Sequence, residues 1–513
     1  MTGQSTVSPP APTGPAWRAE RHGARLSAFG PRTDKRAAEA ELPLCVDLDG
    51  TLVLSDSLQE ALVACLLTRP GLLLRLPGWL AAGKARLKER VAEAWEFDPS
   101  LLPYNAEFLA YLRQERASGR YIVLCTATHR SVAERIAAEL GLFDEIVATE
   151  GSSNLRGAAK AEALTRRFGK GGFVYAGNDR SDGPVWEAAA AAIVVNAKPG
   201  VQRAAASRFR VLAAFPRRQG AAMAALRAMR PHQWTKNLLC LVPLVAAGDF
   251  TGVAAWLNAA LLTVSFCLVA SGIYIVNDFS DLAADRAHPS KRRRPFAAGE
   301  LPLLHGACLA AALMLAGLLG ASACGGLVFV AAYAASSLAY SLRLKSYPLL
   351  DVFMLAFLYT IRLLGGGVVS GHPVSQWLLG FSSFLFMSLA LVKRVAEATR
   401  NGQGRGGAIA RRGYTAEDWA LLQTFGCAAT FASAIVLALY VHSDAATQAY
   451  GNPEVLWGTV PLLLFWQCRL WLSTSRGRMH DDPIVFAAGD WVSWLVGGAL
   501  GLVVAAAWLP LGR

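Results

Sequence analysis

From His232 almost to its end the chain is a succession of apolar runs, and this feature limits its fold more than any other. Backbone in hydrocarbon must satisfy its hydrogen bonds internally, so runs of about 20 apolar residues become membrane-crossing helices. Nine runs reach or approach that length, at 232–248, 252–276, 301–320, 323–341, 348–370, 374–394, 418–441, 454–474 and 484–510. The loops after the second, fourth, sixth and eighth carry Arg286 and Lys291 to Arg294, then Arg343 and Lys345, then Lys393 to Arg412, then Arg476 and Arg478. The loops after the first, third, fifth and seventh, GDFT, GASACGG, GGGVVSGHPVSQ and HSDAATQAYGNPE, contain neither Lys nor Arg. This is the positive-inside pattern, which sets the residues before His232 on the cytoplasmic side and the C-terminus outside. An integral, multi-pass protein with an all-α bundle of nine helices is expected over 231–513.

Apolar residues make up 54% of the chain and charged residues 17%, which excludes a disordered or coiled-coil protein. The net charge of +13 suits nucleic acid, an anionic membrane surface or phosphorylated substrates. The arginines lie between apolar spans and no nucleic-acid-binding motif is present, so nucleic acid is not expected as a partner. Nine cysteines occur singly, without CxxC pairs or metal-ligand spacing, and read as small buried hydrophobes in a reducing compartment. Residues 1–40 read as a disordered tail and 201–230 as a linker or interfacial helix.

The second apolar run ends in S-G-I-Y-I-V-N-D-F-S-D-L-A-A-D-R. Asn277, Asp278, Asp281 and Asp285 recur at helical spacing, which predicts three carboxylates and an amide on one face at the membrane edge. Unpaired, such charges repel and are costly beside hydrocarbon. A divalent hard cation resolves both problems, and Mg2+ held by few carboxylates completes its shell with substrate phosphates. An Arg inside a span faces a polar cavity or an anionic partner, which makes Arg362 a candidate for a phosphate cavity. Lys236 reads either as an interfacial anchor or as a phosphate ligand. Asp481 and Asp482 read as a polar turn before Pro483.

The N-D-x-x-D-x-x-x-D pattern after a second membrane helix resembles the UbiA superfamily of intramembrane prenyltransferases, over essentially all of 227–511. That resemblance implies that Asp278 and Asp281 are catalytic, and that Asn277 and Asp285 join them in binding Mg2+ and a diphosphate. R-P-H-Q-W-T-K-N from Arg230, H-P-S-K-R-R-R-P from His288, Y-S-L-R-L-K from Tyr340 and K-R-V-A-E from Lys393 look like the decaprenyl-phosphate phosphoribosyltransferase branch. The branch implies phosphate contacts from Lys236, Lys291, Arg294, Tyr340, Lys345, Arg362, Lys393 and Arg394, with Asp351 and Glu397 as further candidates. Its substrates are a polyprenyl phosphate and phosphoribosyl pyrophosphate.

Residues 41–200 alternate apolar runs, at 42–49, 121–127, 145–149, 173–177 and 191–197, with amphipathic stretches. That alternation predicts an α/β domain with a doubly wound parallel sheet, whose ligands bind beyond the carboxyl ends of the strands. D-L-D-G-T at Asp47 to Thr51 ends the first strand and resembles the haloacid-dehalogenase (HAD) phosphatases. The resemblance implies Asp47 as nucleophile and Mg2+ ligand, Asp49 as general acid and base, and Thr126 and Lys160 on the phosphate. In the last motif Asn178 stands at the usual acidic position. Either Asp179 ligates Mg2+ or affinity for the metal is weakened, with Asp182 in support. Residues of about 56–116 are expected to form a small helical cap.

Together these readings imply a Mg2+-dependent intramembrane transferase in the bacterial inner membrane. It would move 5-phosphoribose to a polyprenyl phosphate, with a fused phosphatase removing the phosphate from that product. A prenyl diphosphate with an aromatic or other small acceptor is the alternative substrate pair. A transporter with a regulatory phosphatase-like domain is disfavoured, because no inverted repeat is evident and the acids lie at the membrane edge.

Overall fold

The computed structural model describes residues 41–150, 155–217, 220–400, 413–415, 417–479 and 482–509. The tail expected over 1–40, much of the basic stretch ending at Arg412, and Asp481 lie outside them.

Six parallel strands, β1 (Leu44–Val46), β2 (Ile122–His129), β3 (Glu145–Thr149), β4 (Val174–Gly177), β5 (Ala191–Val195) and β6 (Val211–Phe215), form one sheet ordered β3-β2-β1-β4-β5-β6. Leu44, Cys45 and Val46 are fully buried, as a central strand covered on both faces requires. Strand order reverses at β1, and the carboxyl ends of β2, β1 and β4 bring Thr126, Asp47 and Asn178 to the same edge. The stretch read as a linker begins in helix Pro199–Arg208 and continues into β6, which pairs with β5 at the sheet edge. Helices Ser57–Thr68, Leu76–Ala81 and Lys84–Ala94 follow β1, in the expected cap. Ala106–Ala117 lies instead on the sheet, with Phe108 edge-on to Phe215 of β6 at 5.3 Å.

The second half is helical, and among the described residues seven helices are long and apolar enough to cross a membrane. They are Val253–Ser280, Leu303–Ala323, Leu350–Val369, Gln376–Thr399, Asp418–Val441, Pro453–Ser475 and Trp491–Trp508. This corrects the expected nine in three places. Leu327–Leu342 has 16 residues, about 24 Å of α-helix, which is short of a hydrocarbon core. The expected last span breaks at Asp490, which caps Trp491–Trp508 through the Ser493 N–H and pairs with both terminal nitrogens of Arg469.

The expected first span is a 3₁₀ segment, Pro231–Leu241, followed by Val242–Ala246. It runs antiparallel to Val253–Ser280. Arg230 meets Asp278, Trp234 Nε1 donates to Ser271 Oγ (3.0 Å), and Asn237 Nδ2 donates to Cys267 Sγ (3.1 Å). From the first contact to the last, seven residues match eleven. At about 2.0 Å per residue against 1.5 Å the two stretches cover similar depth, roughly 14 and 16 Å. The segment also packs on Leu350–Val369, where Gly366 permits the approach, because a Cβ there would stand 2.0 Å from the Cys240 carbonyl oxygen. Of the cysteines expected inside, Cys308 and Cys468 are exposed on apolar helices, while Cys45, Cys65, Cys125, Cys240, Cys267 and Cys324 are buried.

Candidate active sites

Asp47 follows β1, and its N–H donates to the Ala176 carbonyl of β4 (3.0 Å), which fixes the carboxylate at the sheet edge. Lys160, buried in helix Ala158–Phe168, donates to Asp47 Oδ1 (2.7 Å) and to the Tyr175 hydroxyl (2.9 Å). Tyr175 in turn donates to Asp182 Oδ1 (3.0 Å). Burial pushes the Asp47 carboxyl up to about 6 against the opposing pull of Lys160. Burial alone would lower Lys160, but the charge of Asp47 outweighs it and holds the ammonium protonated.

Asp49 accepts from the Ser57 N–H (2.8 Å), Ser57 Oγ (3.2 Å) and Thr128 Oγ1 (2.6 Å). Burial and then the nearby Asp56 push it up to about 7, so it can hold a proton near neutrality. Thr126 is fully buried at the same edge, its hydroxyl accepting from the Thr128 N–H (3.0 Å). Gly50 sits at φ +75°, and a Cβ there would lie 2.1 Å from the Asn178 side-chain nitrogen. Glycine therefore lets Asn178 close over the D-L-D-G-T loop. Lys88 of the cap reaches the Ala127 carbonyl (2.6 Å).

The loop after β4 sets its two acids in different surroundings. Asp179 is exposed and accepts from Ser181 Oγ at 3.4 Å, so the metal role expected of it lacks support in its position. Asp182 shapes the loop, with Oδ2 taking the N–H groups of Asn178 (2.9 Å) and Asp179 (3.0 Å). Asn178, not Asp179, lies against the nucleophile loop.

The acidic corner also differs from expectation. Its carboxylates are neutralised by basic side chains. Asp278, 2% exposed, pairs with Arg230 and with Arg294 (3.4 Å). Arg294 also holds Asp285 (2.6 Å). Asp281 pairs with Lys345 (3.2 Å) and accepts from Asn277 Nδ2 (3.1 Å). Among the described residues no three of His, Cys, Asp and Glu gather with metal-ligand spacing. The two arginines lie outermost: Arg294 is 27% and Arg230 19% exposed, against 2–3% for Asp278 and Asp285. Arg230 adopts φ +52° directly before Pro231, a strained backbone that aims it at this corner. Lys291 is exposed.

A second charged cluster is buried in the helices. Asp482 accepts from Lys236 (2.6 Å), lies 3.4 Å from Lys393, and receives the Tyr359 hydroxyl at 3.3 Å. Lys236 is 8% exposed, which removes the reading as an interfacial anchor. Asp482 is no solvated turn either. Arg362, 4% exposed, donates through Nε to Asn237 Oδ1 (2.6 Å) and stands 4.4 Å from the Tyr333 ring centroid. Three cations thus accompany one carboxylate. The Arg230 guanidinium lies over Tyr274 at 5.2 Å, on the helix that carries Asp278.

Arg394 and Tyr340 are correspondingly reassigned. Arg394 is fully buried, 2.6 Å from Asp351 and 2.5 Å from Glu397, and donates to the Tyr340 hydroxyl (2.6 Å). Tyr414 donates to the other oxygen of Asp351 (2.5 Å). These contacts tie helices Leu327–Leu342, Leu350–Val369 and the end of Gln376–Thr399 together, and they occupy side chains expected on phosphate. Arg394→Leu leaves the fully buried Asp351 without its cation, at a cost of about 3–5 kcal/mol. The expected outcome is a lower unfolding temperature in detergent. A stable variant with only a raised KM would reinstate Arg394 as a substrate ligand.

Asp482, Arg230, Ser57 and Thr128 are site residues that sequence reasoning did not single out. For Asp482 the available signal was an acid opening a short helix in an otherwise apolar stretch.

The UbiA prenyltransferase family model matches residues 238–487, and that for haloacid dehalogenase-like hydrolase matches 44–187. The uncharacterized protein y4nM of Sinorhizobium fredii is 39% identical over 475 residues, 90% of each chain. The nodulation protein NoeC of Azorhizobium caulinodans is 36% identical over 283 residues, 54% of this chain and 91% of its own. The decaprenyl-phosphate phosphoribosyltransferase of Mycolicibacterium smegmatis is 42% identical over 183 residues, 34% of this chain and 56% of its own.

Proposed function

This chain belongs to the UbiA prenyltransferase family with a haloacid dehalogenase-like hydrolase domain fused ahead of it, and from that premise we propose a two-step reaction on one lipid. The protein is an integral membrane enzyme, a transferase carrying a phosphatase-type domain. In the first step 5-phosphoribose passes from phosphoribosyl pyrophosphate to a polyprenyl phosphate. In the second the HAD domain removes the ribose 5-phosphate group. The relative named decaprenyl-phosphate phosphoribosyltransferase supports the choice of donor and acceptor.

The observation that carries the reading is the placement of charge. Buried Asp278 and Asp285 lie behind Arg294 and Arg230, Asp281 pairs with Lys345 beside them, and a second cluster sets Lys236, Lys393 and Arg362 against the single Asp482. A pyrophosphate entering the corner would replace the carboxylates as partner of the two arginines, which turn to its oxygens and uncover Asp278 and Asp285. One or two of Asp278, Asp281 and Asp285, with Asn277 beside them, would then hold Mg2+. The donor set fits an ion that uses one or two carboxylates plus phosphate. When bound, the ion neutralises charge developing on the departing pyrophosphate. Lys236, Lys393 and Arg362 hold the lipid phosphate, whose oxygen bonds to the anomeric carbon as the bond to pyrophosphate breaks. The loop charges and the docking of the HAD domain beside the acidic corner support a cytoplasmic N-terminal half in a bacterial inner membrane.

In the HAD domain Asp47 attacks the phosphorus while Thr126 and Lys160 hold the phosphate. Asp49 delivers its proton to the leaving ribose oxygen and then takes one from water. Asp47 with the Asn178 amide would hold Mg2+ there, with one carboxylate fewer than if Asn178 were acidic.

Membranes containing the protein, given ribose-labelled phosphoribosyl pyrophosphate and polyprenyl phosphate with Mg2+, are expected to form labelled lipid. EDTA should stop the labelling, and excess Mg2+ restore it. Lipid labelled only from a prenyl diphosphate, with the ribose donor unused, would overturn the reading in favour of a prenyl transfer.

A further inference from the structure

The two halves meet through helix Ser57–Thr68. Its first residue grips Asp49 through the N–H and hydroxyl of Ser57. One turn on, Glu60 accepts from both terminal nitrogens of Arg286, at 2.8 and 2.5 Å, with side-chain exposures of 3% and 8%. Arg286 directly follows Asp285 and also donates through Nε to the Ala297 carbonyl (3.3 Å). On the same helix Gln59 accepts the N–H of Leu304 (3.0 Å), satisfying an orphan donor at the start of Leu303–Ala323. Val63 packs into the cluster of Ile275, Phe296 and Leu301. Beyond the helix, Gly299 at φ +69° lies against Leu54, where a Cβ would come within 2.7 Å of the leucine Cβ.

A bidentate ion pair withdrawn from water gains little net stability over apolar packing, but it tolerates few alternative geometries. One rigid helix therefore connects the proposed general acid of the phosphatase to the acidic corner of the transferase. We propose that Glu60 and Arg286 are positioning residues that hold the phosphatase mouth at the acidic corner, so that the lipid-linked product of transfer is passed directly to Asp47. The handover rests on the two-step reading above. The docking does not.

The test uses the full-length protein in proteoliposomes, with Arg286→Gln and Glu60→Gln. Because Ser57 keeps its own bonds to Asp49, hydrolysis of p-nitrophenyl phosphate is expected within about threefold of wild type, as is ribose transfer to lipid. The ratio of dephosphorylated to phosphorylated lipid product should fall on the order of tenfold, because the second site loses its effective concentration. The exchanged pair Glu60→Arg/Arg286→Glu should recover the ratio, which a merely destabilised fold would not do. An unchanged ratio in the single variants overturns the proposal. If wild type makes no dephosphorylated lipid, the two-step reading fails, and hydrogen exchange decides the docking by itself. Faster exchange of the 60–68 amides in Arg286→Gln supports it, and unchanged exchange overturns it. Arg286→Lys, which keeps the charge but loses the fork, is the milder variant should Arg286→Gln not fold.

Discussion

Asp47→Asn is expected to lower hydrolysis of p-nitrophenyl phosphate by at least about 10⁴-fold, the scale seen when a covalent nucleophile is removed. Asparagine is nearly isosteric and keeps a contact to Lys160, now 2.7 Å from Asp47 Oδ1, so the fold should persist. It lacks the charge needed to attack phosphorus. Ribose transfer uses none of these groups and should stay within about threefold. Membranes of the variant therefore accumulate a lipid that is heavier than the wild-type product by one phosphate, which mass spectrometry of the extracted lipids reads directly. Identical lipids from wild type and variant would show that the HAD domain does not act on the product of its neighbour.

Asp278→Asn makes the complementary prediction. This carboxylate is almost completely buried and shares Arg230 and Arg294. Removing its charge leaves the Arg230 guanidinium without its carboxylate, while Arg294 keeps Asp285, and deletes an oxygen ligand from the proposed Mg2+ and pyrophosphate site. Losing one group that stabilises charge developing at the reacting centre slows transfer by roughly 10²–10³-fold. Hydrolysis of p-nitrophenyl phosphate, carried out at Asp47, should change little. Asp281→Asn is expected to be milder, because Asp281 is more exposed, with 21% side-chain exposure, and its partner Lys345 is a single point charge. If transfer survives Asp278→Asn, the acidic corner is a structural ion-pair network and the pyrophosphate binds elsewhere.

The neutralised acidic corner shows where reasoning from spacing stops. Helical periodicity predicted one continuous face, whereas the helix breaks at Asp281, and Asp278 and Asp285 come together through Arg294 from two separate helices. The expected remedy for their repulsion was a cation from solution, but the chain supplies Arg230 from before the first membrane segment and Arg294 from the following loop. A pattern within sixteen residues cannot say which distant cation will arrive. Arg394 was misplaced for the same reason, since its partners Asp351 and Tyr340 come from two other helices. Asp482 gains its meaning from Lys236, 246 residues earlier.

Local signals fared better. Five of the six strands and the D-L-D-G-T loop were legible because a buried parallel strand needs a continuous apolar run, and the polar residues that follow such a run mark its carboxyl end. The run at 232–248 was legible as apolar, but the span expected of it is a 3₁₀ segment that does not count among the seven membrane-crossing helices of the described residues. Hydropathy registers how many apolar residues are available, and it carries no information on the rise per residue, which here is that of a 3₁₀ helix.

What the sequence by itself determined is the division into an α/β phosphatase-type half and a membrane-spanning half, together with the identity of Asp47, Asp49 and the acids after the second apolar run. Each depends on hydrophobic periodicity or on residues within one turn of one another, interactions that are short in sequence as well as in space. Only the tertiary structure decided which cation meets which carboxylate, that Asn178 and not Asp179 faces the nucleophile loop, and that Glu60 joins the two halves through Arg286. Burial makes those pairings strong by removing the water that would otherwise screen them, and burial is a property of the packed chain rather than of any segment in it.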